Sequence, residues 1–213
     1  MPGKNLALLG GRTLVRRALD TALAAGCFER VALSSDDDRI LAEADGLDVV
    51  ALRRPAELAT ETARASDFAI HALEELDDPG APIEALAIIQ CTSPFTAPED
   101  VAGAVALLGQ TGADSVVTVS VADTAHHPLK MKRLDGDRLL PYLEDDHLTP
   151  SHELERLWIR NGSVYVFRRD VVERGLRADD VRGYEMPSER SFDIDTQQDL
   201  DFAEFLVARG DRS

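Results

Sequence analysis

The chain has 213 residues, 44% of them hydrophobic, and carries 23 Lys and Arg against 39 Asp and Glu for a formal net charge of −16. That length suits one large domain, or one domain with a small appendage. The negative balance argues against binding to nucleic acid or to an anionic membrane surface, because phosphate backbones need Lys and Arg. The two cysteines, Cys27 and Cys91, form no disulfide framework, and no apolar run has transmembrane length. The expectation is a cytoplasmic protein.

In chain order, Leu6–Leu9 is a short apolar piece that ends at Gly10-Gly11. Thr13–Ala25 carries a helical stripe of Leu14, Val15, Ala18, Leu19, Ala22 and Leu23, with Thr13 as cap and Gly26 as stop. A strand is expected at Arg30–Ser34, a helix at Asp36–Ala44 and a strand at Leu47–Leu52. The polar loop Arg53–Leu58 then leads to a helix over Ser66–Leu76. Ala85–Ile89 is a continuous apolar run, the pattern of a strand covered on both faces. It ends in Gln90-Cys91-Thr92-Ser93-Pro94, before a helix over Pro98–Leu108 and a strand over Ser115–Val121. This alternation predicts βαβ units and a largely parallel sheet.

After Val121 the rhythm breaks. Leu129–Arg133 is strand-like, Asp135-Gly136-Asp137 is a turn, and an acidic segment runs to about Arg156. We read residues 123–160 as an insertion within a single domain. The core resumes with a strand at Ser163–Phe167, a short helix near Asp170–Arg174, a polar strand Ser191–Thr196 and a helix over Gln197–Ala208.

Ligands in such sheets bind beyond the carboxyl ends of the strands. The loops Ser34–Asp38, Arg53–Leu58, Gln90–Pro94 and His126–Lys130 all fall there. Each polar group in them has a plain reading and a functional one. Lys4 and Asn5 sit in a terminal turn, or meet a phosphate and a nucleoside. Arg54 is solvated, or reads a base edge or phosphate. Thr92 and Ser93 cap a turn, whereas Gln90 has no such structural reason and is a candidate contact in the crevice. Lys130 is a candidate for a carboxylate. His126 and His127 lack zinc-ligand spacing to the other histidines and read as packing or interface residues. Asn161-Gly162 explains itself as a turn, or Asn161 bonds a substrate. Asp193 and Asp195, two apart on an extended chain, project to one face and suit Mg²⁺, which takes a couple of carboxylates plus water and phosphate oxygens. Alternatively Asp195 or Thr196 merely caps the last helix.

As an ordered set, Pro2-Gly-Lys-Asn5, Ser35-Asp36, Arg54-Pro-Ala-Glu-Leu-Ala59, Gln90-Cys-Thr-Ser-Pro94, Gly112-Ala-Asp-Ser-Val-Val117, His126-His-Pro-Leu-Lys130, Asn161-Gly162 with Tyr165, and Asp193-Ile-Asp-Thr196 resemble the acylneuraminate cytidylyltransferases, the CMP-sialic acid synthetase family. The resemblance spans the chain. It implies a three-layer, Rossmann-like α/β nucleotidyltransferase fold with a mostly parallel sheet and a small dimerisation arm. It implies CMP transfer from CTP to a sialic-type (nonulosonic) sugar acid with release of pyrophosphate. It further implies Mg²⁺ on Asp193 and Asp195, Lys4 on the CTP phosphates, and Asn5 and Arg54 on cytidine. The sugar acid would meet Gln90, Thr92, Ser93, Lys130 and Asn161. A homodimer is implied, with no nucleic-acid or membrane partner.

Three departures qualify the resemblance. The family opens with an apolar strand and a phosphate-binding loop ahead of Pro-Gly-Lys-Asn, so a longer natural chain with that segment is expected. Arg160 stands directly before Asn161, one residue closer than the family's arginine, a shift that reverses side-chain direction on a regular strand. Thr96 and Cys91 replace a common arginine and a common proline. The acceptor end is therefore open. One alternative is CMP transfer to a small phosphonate, and another is a degenerate homologue without catalysis.

Overall fold

The computed structural model describes residues 1, 3–60, 62–143 and 149–210. A one-turn 3₁₀ helix, Lys4–Leu6, precedes a two-residue hairpin of β1 (Leu8–Leu9) and β2 (Arg12–Thr13). Helix α1 (Leu14–Ala24) follows, with Thr13 accepting from the Arg16 N–H and Leu14, Val15, Leu19 and Ala22 buried. Next come β3 (Ala32–Ser35), the single-turn α2 (Asp38–Leu41) and β4 (Val50–Arg53). The central elements are α3 (Ala65–Leu76), β5 (Ala85–Ile89), α4 (Pro98–Thr111) and β6 (Ser115–Val121). Then follow the hairpin β7 (Lys132–Asp135) and β8 (Arg138–Pro141), the long β9 (Trp158–Arg168), α5 (Arg169–Glu173), β10 (Val181–Glu185) and α6 (Gln197–Ala208).

The main sheet has the order β10-β6-β9-β5. Strand β10 runs parallel to β6, while β9 is antiparallel to both β6 and β5. Three of the four strands therefore point one way, but two of the three ladders, both made by β9, are antiparallel, which the βαβ rhythm did not indicate. Strands β3 and β4 form a separate parallel pair, and α3 packs against both β3 and β5.

The apolar run of β5 serves two layers. Ala87 and Ile89 pack with Val101, Ala104, Leu108, Val116, Val164 and Val166 under α4. Leu86 and Ile88 pack with Ala69, Leu73, Phe167, Val171 and Val172 under α3 and α5. Alternate residues of one strand thus meet helices on opposite faces. Each fully buried aliphatic side chain contributes about 1.5–3 kcal/mol to this three-layer arrangement. A third cluster joins Leu9, Leu14, Phe95, Ile194, Leu200 and Ala203, and so ties the first and last elements together.

Several boundaries differ from expectation. The helix expected over Asp36–Ala44 is α2 followed by a 3₁₀ turn, Ala42–Ala44. Leu129–Arg133 is not one strand; Pro128–Lys130 is a 3₁₀ turn and β7 starts at Lys132. Strand β9 begins at Trp158, so the last residues of the 123–160 interval belong to the sheet. Ser191–Thr196 is not a strand, since none of its residues pairs with another strand. Part of the expected acidic segment, residues 144–148, lies outside the described residues. The hairpin turn at Asp135-Gly136-Asp137 forms as expected, with Gly136 at φ 62°, where glycine pays no steric penalty. No described helix is long and apolar enough to cross a membrane.

Candidate active site

The segment Ser191–Thr196 holds its shape through alternation without a sheet. Ile194 is fully buried, and its N–H donates to the Thr92 carbonyl at 2.8 Å. Asp193 and Asp195, on either side of it, are exposed. Thr196 caps α6, and the Asp199 carboxylate accepts from the N–H groups of Asp195 and Thr196 and from the Thr196 hydroxyl. The cap is therefore filled by Thr196, leaving the Asp195 side chain for other partners. Its Oδ1 lies 2.8 Å from the Lys4 ammonium, which also reaches the Ile194 carbonyl at 3.4 Å. Gly3, at φ 68°, turns the chain into the short helix that carries Lys4 and Asn5.

Beside this segment runs the loop after β5. The Gln90 N–H donates to the Ser163 carbonyl, and the Ser93 and Thr96 N–H groups close successive turns on Gln90 and Ser93. Ser93, expected to face the crevice, is only 3% exposed, and its Oγ is buried without a hydrogen-bond partner. Thr92 contributes its backbone carbonyl to Ile194. Burial pushes the Cys91 thiol up to about 11, and the charges of Lys4 and Asp193 both act on it, so Cys91 lies close to the two groups.

Asn161 and Gly162 sit in an irregularity of β9. Two steps along β6, from Val117 to Val119, match five along β9, from Tyr165 to Arg160. The extra residues form a bulge in which Gly162 adopts φ 79°. Every hydrogen-bonding atom of the Asn161 amide is engaged inside the protein. Oδ1 accepts from the Thr118 hydroxyl at 2.7 Å and from the Ser163 N–H, while Nδ2 donates to Ser191 Oγ at 2.8 Å and to Met186 Sδ. Asn161 thus organises the site, and its amide has no group to spare for a substrate. Because the bulge breaks the alternation, counting from Asn161 does not give the direction of Arg160.

Two cavities meet along β9. One, of about 440 Å³, is lined by Gln90, Ile88, Arg160, Tyr165 and Leu176 among others. The other, of about 530 Å³, is lined by Asp193, Ser191, Asn161, Arg160, Tyr165 and Ser120 among others. Arg160 and Tyr165 belong to both walls, so Gln90 and Asp193 are connected through them. The shift that would reverse Arg160 on a regular strand falls at this bulge, and Arg160 lines both cavities.

Of the expected site residues, Gln90, Asn161 and Asp193 line these two cavities, whereas Lys4, Asn5, Arg54, Thr92, Ser93, Lys130 and Asp195 do not. Arg54 bonds the Ser34 hydroxyl and carbonyl and stacks over Phe68 at 4.8 Å, and lines neither cavity. Burial lowers its pKa. Lys130 donates to Ser151 at 2.7 Å, outside both cavities. His127 is buried, and its Nδ1 accepts from the Leu129 N–H in the turn that begins at Pro128. Among the described residues no group of three or more His, Cys, Asp or Glu converges as a metal cage. The two exposed aspartates instead fit a hard cation that takes few protein oxygens and completes its shell with water and phosphate.

The chain is similar in sequence and in fold to known proteins. A CMP-N,N'-diacetyllegionaminic acid synthase from Legionella pneumophila is 28% identical over 97% of this chain and 90% of its own length. N-acylneuraminate cytidylyltransferases from Escherichia coli and Danio rerio are each 28% identical over 94% and 98% of this chain, which spans about half their length (47% and 48%). Among solved structures, a CMP:2-keto-3-deoxy-manno-octonic acid synthetase complexed with CTP superposes with a TM-score of 0.73 at 16% identity, over 99% of this chain and 93% of that one. A 4-diphosphocytidyl-2C-methyl-D-erythritol synthase from Anaerococcus prevotii gives 0.65 at 17% identity, over 97% and 92%. Both share the α/β architecture described above. The cytidylyltransferase family model matches residues 1–208, and the chain belongs to that family.

Proposed function

We propose that this protein transfers CMP from CTP to an acidic acceptor, a sialic-type sugar acid, with release of pyrophosphate and with Mg²⁺ held by Asp193 and Asp195. The observation that carries this reading is the joining of two chemically different cavities through Arg160 and Tyr165, with an exposed aspartate at one end and Gln90 at the other. In-line phosphoryl transfer needs positioning and neutralisation of charge more than covalent help. Lys4 supplies a cation next to the carboxylates, placed to exchange Asp195 for a triphosphate oxygen. The Arg160 guanidinium suits the acceptor's carboxylate, and Gln90 and Tyr165 suit its hydroxyl or amide groups. Mg²⁺, when bound, would neutralise charge developing on the phosphate oxygens. The legionaminic and N-acylneuraminic relatives support the acceptor class.

The β7–β8 arm supports a homodimer. Leu134 and Leu139 are 71% and 70% exposed at its tip, an apolar surface that a second copy would cover. Such pairing would also bring Lys130, which lies away from the site of its own chain, to another position.

The test is pyrophosphate release from CTP and Mg²⁺ with a panel of N-acetylneuraminic, legionaminic and 3-deoxy-manno-octulosonic acids and phosphonoformate. Turnover with a sialic-type acid supports the reading. Turnover with phosphonoformate alone overturns the acceptor class, and a folded protein that turns over none of them overturns the reading.

A further inference from the structure

Asp100 lies in the first turn of α4, and its side chain is only 1% exposed. A carboxylate so buried requires close partners. It has three donors. Oδ2 accepts from the Ala97 N–H at 3.0 Å and from Arg190 Nε at 2.7 Å, and Oδ1 accepts from Arg190 Nη2 at 2.7 Å. Ala97 ends the loop that begins at Gln90. Arg190 ends the 3₁₀ turn Ser188–Arg190, directly before the segment that carries Asp193 and Asp195. One carboxylate oxygen is therefore shared by the two loops that build opposite parts of the site.

Other contacts fix the remainder of this segment. Ser191 Oγ donates to the Pro187 carbonyl and accepts from Asn161, and the Ile194 N–H donates to Thr92. These are single hydrogen bonds; the Arg190–Asp100 fork is bidentate, which fixes angle as well as distance. Glu99, 3.7 Å from Arg190, adds a second negative charge at the rim of the fork.

We infer that Arg190 and Asp100 are positioning residues: their ion pair, buried at Asp100 and half-buried at Arg190, sets the spacing between the Gln90–Thr96 loop and the paired aspartates, and so governs how tightly the aspartates hold a divalent cation with CTP. The inference rests on the metal reading given above. Neither residue lines either of the two cavities described above, and both act through the segments they join.

The experiment measures Mn²⁺ binding by electron paramagnetic resonance in the presence of CTP, for the wild-type chain, Arg190→Gln and Arg190→Lys. Thermal unfolding and amide exchange over residues 191–196 are followed on the same samples. Arg190→Gln is expected to bind Mn²⁺ about tenfold more weakly and to exchange faster over 191–196. Arg190→Lys, which keeps the charge but not the fork, should fall between the two. A folded variant with a lower melting temperature but wild-type Mn²⁺ affinity overturns the inference and leaves a structural role alone. Should Arg190→Gln fail to fold, wild-type affinity in Arg190→Lys overturns it equally. Absence of Mn²⁺ binding by the wild-type chain overturns the metal reading instead.

Discussion

The Lys4 ammonium sits 2.8 Å from Asp195 Oδ1, drawing together residues 191 positions apart. Both side chains are partly open to water, at 29% and 69% exposure. An ion pair of that kind adds less than about 1 kcal/mol to stability.

Its proposed importance is catalytic. Lys4→Met, Asp193→Asn and Asp195→Asn should each cut pyrophosphate release by about 100-fold or more, the scale on which removing one preorganised charge acts. The Lys4→Met chain should keep its unfolding free energy within about 1 kcal/mol of wild type. Wild-type turnover by either aspartate variant at saturating Mg²⁺ would show that the metal is held elsewhere.

Acid stability should depend on Asp77. Two guanidinium hydrogen bonds from Arg169, at 2.9 and 2.7 Å, hold its carboxyl at about 2, down from an ordinary 3.8. A depressed folded-state pKa means that the unfolded chain takes up the proton first as acid is added. The contribution is thus complete above the ordinary value and fades as pH falls toward about 2. Asp77→Asn should melt below wild type at pH 6, and the gap should close near pH 2. A gap of constant size in a calorimetric pH series would contradict this.

The arm makes a separate prediction. If a second copy covers Leu134 and Leu139, then Leu134→Asp with Leu139→Asp should shift sedimentation toward the monomer. The far-ultraviolet spectrum should not change, because the two strands of the hairpin pair only with each other. A monomeric wild-type chain at micromolar concentration would refute the proposed pairing.

Thiol chemistry probes the interior of the site. Cys27 is exposed, whereas burial holds Cys91 near 11 and keeps it as the unreactive thiol at neutral pH. A disulfide reagent at pH 7.5 should therefore titrate one cysteine quickly in the native protein and two after denaturation. Fast labelling of Cys91, read by mass spectrometry, would mean that the loop after β5 opens freely.

Much of this fold was legible where burial and periodicity agree. β5, β6 and α6 form at their expected bounds, and α1, α3 and α4 within three residues of theirs. β10 gave no signal, because Val181-Arg-Gly-Tyr-Glu185 is an edge strand with four of its five residues exposed. β9 started earlier than expected because Trp158-Ile-Arg160 lies beyond the bulge and is itself exposed. The outward turn of Asp193 and Asp195 about a buried Ile194 follows the alternation expected of an extended chain, although the expected strand does not form. Arg190 and Asp100 were not legible, since nothing local distinguishes a surface arginine from one that meets a buried acid 90 residues away. The roles of Arg54 and Asn161 also depended on long-range partners that no motif encodes.

The saturated amide of Asn161 bears on any attempt to redesign acceptor choice. Mutating it would loosen the junction of β6, β9 and the aspartate segment and change every substrate together. Libraries aimed at new acceptors belong at Gln90 and Arg160, whose side chains border open space, whereas Tyr165 also packs against the core cluster of Phe167 and Val171.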